Sequence, residues 1–168
     1  MKRVIAILTL GLCVACLGLS QQPDRHEPEA QARIETGLRF EAFDLFVDSA
    51  QESLGAYQIE VKAATPAGKP GTTKVTLVGV EGGEHAAFKA APHYDPAALH
   101  EDQLKDRIIL AAFNTGADLP TGKTRVARIH VQIEGPEPAF TVIVKAAATA
   151  DGTKIQATAA AAAAGDAR

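Results

Sequence analysis

The sequence predicts an all-β fold, a two-sheet antiparallel β-sandwich of the jelly-roll or immunoglobulin-like kind. Three observations predict it. Apolar and polar residues alternate in short segments across Gly37–Ala157, the period of half-buried strands. Glycine, proline and Asp-Gly turns separate those segments at short intervals. No segments of helical period are interleaved with them, and no GxGxxG or GKS/GKT string occurs, so a nucleotide-binding α/β layout has no support.

The clearest strand is Ala56–Ala63, where Tyr57, Ile59, Val61 and Ala63 face one way and Gln58, Glu60 and Lys62 the other. Arg125–Glu134 repeats the pattern, with Ala127, Ile129, Val131 and Ile133 inward and Arg128, His130, Gln132 and Glu134 outward. Ala139–Ala146 puts Phe140, Val142 and Val144 on the core face. Phe40–Val47, Lys74–Val80, Arg107–Phe113 and Lys154–Ala157 complete the set, most of them rich in Val, Ile and Phe. Between them stand PAGKPG (66–71), LPTGK (119–123), GPEP (135–138) and the hairpin cue Asp151-Gly152. A domain of this size buries roughly two thirds of the surface its open chain exposes, enough to fold without cystines.

The flanks differ in character. Residues 1–20 read as a signal peptide or membrane anchor: Lys2 and Arg3 precede the apolar Val4–Leu19, and polar sequence begins at Ser20. Within it, Val14-Ala15-Cys16 resembles a lipobox, which makes Cys16 a candidate lipidation site, while Gly18-Leu19-Ser20 offers an ordinary cleavage site. Both cysteines, Cys13 and Cys16, lie in this segment, so the folded part has no disulfide framework. Residues 21–36, with Pro23 and Pro28, read as a flexible linker. Residues 158–168, mostly alanine, read as a disordered tail, because nothing there sets a face and a helix so short is marginal. The formal net charge of −3 comes from mixed signs, so no basic surface points to nucleic acid.

Several strings resemble cohesin domains: GAYQIEVKA (55–63), YDPAAL (94–99), DRIILAAFNTG (106–116) and LPTGKTRVARIHVQIEG (119–135). The resemblance covers Phe43–Ala146 and implies a nine-stranded sandwich of the cohesin and cellulose-binding-module kind. Two departures stand out. Tyr94 is separated from Tyr57 by a further strand and a long insert, and the Trp and Tyr row of cellulose-binding modules is missing.

That insert, VEGGEHAAFKAAPHYDPAALHED (80–102), carries three histidines and five carboxylates. His85, His93 and His100 are spaced eight and seven apart, and neither spacing is the i, i+4 pair of a helical zinc site. Asp44, Asp48, Glu81 and Glu84 lack a DxDxDG calcium loop, and Ser49 and Ser53 lack a GxSxG elbow. No catalytic residue, metal or cofactor is therefore expected. Phe88 and Tyr94 are the insert's aromatics, suited either to contact a ligand or to plug the sandwich end. Pro92 and Pro96 stiffen the chain around Tyr94, and Asp95 is placed to cap a short turn that Pro96 begins. Phe88, His93, Tyr94 and Asp95 are the candidate binding residues, on a folded cap.

The expectation is an exported, non-enzymatic binding module, lipid-anchored at the cell envelope or secreted. Its first expected partner is an envelope or extracellular protein. The alternative is a polysaccharide, and a metal-dependent hydrolase is the third reading.

Overall fold

A computed structural model describes residues 37–68, 71–99 and 107–165, and these form two antiparallel sheets facing each other across one core. The strands are β1 (Leu38–Asp48), β2 (Ala56–Ala64), β3 (Lys74–Gly82), β4 (Arg107–Phe113), β5 (Lys123–Glu134), β6 (Ala139–Ala148) and β7 (Thr158–Ala163). The larger sheet runs β3-β5-β1-β7 and the smaller β4-β2-β6. The all-β sandwich expected from alternation is thus observed, with seven strands among the described residues rather than the nine that the cohesin resemblance implies. The signal or anchor segment (1–20), Cys16 and the linker (21–36) lie outside the described residues.

Alternation fixes which face each strand buries. Tyr57, Ile59 and Val61 of β2 meet Ile129, Val131 and Ile133 of β5 in one cluster with Phe43, Leu45, Val47, Ile108 and Leu110. Burying each such aliphatic side chain stabilises the fold by about 1.5–3 kcal/mol. Phe43 and Phe140 bridge the two sheets with ring centroids 4.5 Å apart. The Tyr57 hydroxyl, deep in the core, donates to the Val126 carbonyl at 3.1 Å. Burial pushes its pKa well above the usual tyrosine range.

The C-terminal end corrects the sequence reading. Lys154–Ala157 was the expected strand and 158–168 the expected tail. Instead Lys154 makes only an isolated bridge to Ala148, and β7 follows, paired along β1 from Phe43↔Ala163 to Asp48↔Thr158. Alanine is a weak strand former in isolation. Here its main chain completes the ladder on β1, while Ala159, Ala161 and Ala163 pack against the core.

The insert folds as a cap. It leaves β3 at Gly82-Gly83, where a side chain could not fit: a Cβ on Gly82 would lie 2.0 Å from the Lys89 carbonyl oxygen, and one on Gly83 2.3 Å from that of Arg125. The chain therefore doubles back tightly, with Gly83 N–H donating to Phe88 O at 2.7 Å. His85 Nδ1 accepts from Ala87 N–H and caps the single 3-10 turn Ala86–Phe88. Asp95 caps a second turn, Pro96–Leu99, by accepting from Ala97 N–H at 2.9 Å, as its position before Pro96 predicts. Between the turns, His93 and Ala111 exchange both main-chain hydrogen bonds, so the cap covers part of the outer edge of β4.

Candidate functional site

The four insert residues expected to bind do not form one surface. Phe88 is corrected outright. It is 2% exposed and packs edge-to-face on Tyr57 at 5.2 Å, so it plugs the sandwich and cannot touch a ligand. Tyr94 is half-buried against the same core. His93 and Asp95 are exposed, the first pinned by its backbone to β4 and the second engaged in capping.

The carboxylates considered for calcium are each engaged elsewhere. Asp44 receives a two-pronged ion pair from Arg128, at 2.7 and 3.1 Å. Asp48 accepts from Ala50 N–H, Glu81 meets His130 at 2.9 Å, and Glu84 accepts from Arg125 N–H. Among the described residues no three His, Cys, Asp or Glu side chains are grouped to hold a metal ion, and His100 lies outside those residues. The buried Ser49 hydroxyl donates to the Glu52 carbonyl at 2.7 Å.

A different feature stands on the outer face of the smaller sheet. Glu60 points away from the core, yet it is only 2% exposed. It is covered by side chains from all three strands of its sheet. Lys145 of β6 reaches Oε2 at 2.7 Å, Arg107 of β4 bonds Oε1 through Nε, and Lys62 of β2 lies 3.3 Å from Oε1. Register explains the convergence. Glu60 pairs with Ile109 and Ile143, and Lys62 pairs with Arg107, so the basic side chains start one step from the carboxylate.

Lys145 arrives by a bulge. Ile59 pairs with Val144 and Gln58 with Ala146, which leaves Lys145 as the extra residue on β6. Bulges re-aim a side chain in this way. Its Lys145 bond, then that of Arg107, pull the Glu60 pKa from its ordinary 4.5 to about 2. The carboxylate is therefore charged throughout the physiological range.

One carboxylate against three cations leaves two surplus positive charges on this face among the described residues. Among the described residues Arg107 is engaged through Nε, so its terminal nitrogens keep donors for a further acceptor. Around the charges apolar side chains predominate, with the exposed Gln58 among them two residues from Glu60. Ile143 is 39% exposed and Phe113 73%, with Ile109, Ala111 and Ala56 between and beside them. Alternation announced that Glu60 and Lys62 face out. The convergence needed the register of three strands, which no local pattern supplies; the one local signal was a carboxylate, Glu60, on the outward row of β2 beside Lys62.

No protein-family model, no curated protein and no solved structure matches the chain.

Proposed function

We propose that this chain is a non-enzymatic binding module that holds an acidic protein partner on the outer face of β4-β2-β6, at the cell envelope or outside the cell. The supporting observation is the Glu60-centred cation group flanked by the apolar Ile109, Ile143 and Phe113. A face that joins desolvatable apolar surface to surplus positive charge suits an acidic, partly apolar protein surface. In this reading Glu60 orders Lys62, Arg107 and Lys145 in advance, so less side-chain freedom is lost on association. The terminal nitrogens of Arg107 receive a partner carboxylate, and Ile143, Ile109 and Phe113 supply the apolar contact. The export signal read from residues 1–20 supports the location, and the cohesin resemblance supports a recognition role.

Sugar binding draws less support. Stacking on sugar rings calls for a row of exposed aromatics. The exposed rings among the described residues, Phe40 and Phe113, belong to different sheets.

A photo-crosslinking residue placed at Phe113 tests the proposal, with a matching one at Val78 on the other sheet as control. In the native envelope, the expected result is a discrete protein adduct from position 113 that is absent from 78 and is lost when Arg107→Glu is added. Equal adducts from both positions, or an adduct indifferent to Arg107→Glu, would overturn it.

A further inference from the structure

The smaller sheet ends at β6, whose outer edge is only partly covered. After the Asp151-Gly152 turn the chain comes back alongside: Lys154 bridges Ala148, and Ile155 N–H donates to Ala147 O at 3.0 Å. There the two segments part, and the chain crosses to the other sheet as β7. A cleft of about 230 Å³ opens between residues 144–147 and residues 154–157. Its walls are β6 and the returning segment, which pair at Ala147 and Ile155 and not beyond. An unpaired strand edge is a template for another strand.

We infer that this cleft takes an extended, acidic segment of the partner, which adds as a further strand to the free edge of β6. The inference rests on the proposed docking of an acidic protein on the adjoining face and names how that partner continues past the sheet's rim. Three observations carry it. The edge is left open by the divergence after Ile155. The cleft is lined by two lysines, Lys145 and Lys154, both exposed. The nearest turn carboxylate, Asp151, accepts from the Thr149 hydroxyl and from Thr153 N–H within its own loop. Lys145 also joins the two places, because it lines the cleft while bonding Glu60 on the face. A strand laid along β6 gains main-chain hydrogen bonds for affinity, and its alternate side chains give specificity. Carboxylates on one side of that strand meet Lys145 and Lys154.

The probe is the peptide acetyl-Glu-Val-Glu-Val-Glu-amide, alongside a copy N-methylated at both Val amides. The copy keeps every charge and side chain but loses two main-chain donors. With the full chain, the unmodified peptide should bind about tenfold more tightly than the copy, the equivalent of one or two net hydrogen bonds. It should also slow hydrogen exchange at amides within residues 143–146, and Lys154→Glu should weaken it by about tenfold. Equal binding of the two peptides, with exchange in 143–146 unchanged, overturns the strand addition and leaves face docking standing. Binding of neither peptide overturns both readings.

Discussion

Lys145 Nζ lies 2.7 Å from Glu60 Oε2 on the outer face of the smaller sheet, brought there by a one-residue bulge in β6. A carboxylate that faces out of a sandwich is normally left to water. This one is roofed by Lys145, Arg107 and Lys62 instead. Its shielding comes from long flexible cations rather than from the protein interior, and that is what makes the group both ordered and available.

The first prediction concerns acid. The folded-state pKa of Glu60 is depressed, so its stabilising effect is complete above about pH 4.5 and is lost as pH falls towards about 2. Thermal melts across that window should show the wild type losing stability more steeply than Glu60→Gln. At neutral pH Glu60→Gln should melt lower, because three cations then crowd without a counter-charge. Parallel profiles for the two proteins would remove the charge role assigned to Glu60.

A second prediction tests the cap. Phe88→Ala should destabilise by about 3–5 kcal/mol, the usual cost of truncating a buried phenylalanine. Tyr57→Phe should cost about 1 kcal/mol through its lost bond to the Val126 carbonyl. Tyr57→Asp and Ile129→Asp should unfold the domain, since each buries an unpaired charge. Denaturant titration reads all four; a Phe88→Ala protein as stable as wild type would return that ring to the list of binding candidates.

Removal of residues 158–168 is the third. It strips β1 of its partner from Phe43 to Asp48 and uncovers a strand edge. At about 0.5–1.5 kcal/mol per net hydrogen bond, the loss should be about 3 kcal/mol or more, a large part of a domain's stability. Unchanged melting after truncation would show that β7 adds nothing to the ladder.

A fourth, smaller effect is expected at Ala50, which sits at a φ of 53° in the turn after β1. Left-handed backbone costs an L-residue about 1–2 kcal/mol, against about 0.5–1 kcal/mol for glycine's extra freedom. Ala50→Gly should therefore raise stability slightly in the same titration, and a loss would mean that the methyl group packs usefully.

Strands rich in Val, Ile and Phe could be read directly, because apolar alternation and sheet geometry share a period of two. Arg107–Phe113 appears with the bounds its residues announce. β7 could not be read, because alanine carries neither strand propensity nor a polar alternate; what makes Thr158–Ala163 a strand is the vacant edge of β1, far away in sequence. The insert could be read as a cap but not in detail. Its aromatics suited plugging the sandwich somewhat better than binding, and the chain that reverses tightly at Gly82-Gly83 buries Phe88. The charged face was hidden for a third reason: Glu60, Arg107 and Lys145 come from three strands, and a register displaced by one residue would have scattered them.

The most direct measurement is an NMR titration of the full chain with short poly-L-glutamate, following backbone amide shifts. Docking on the outer face of β4-β2-β6 predicts shifts concentrated at Lys62, Arg107, Ile109, Ile143 and Lys145, reduced by added salt and abolished by Arg107→Glu with Lys145→Glu. Shifts concentrated on Pro92–Leu99 or on the opposite sheet, or none at all, would contradict it.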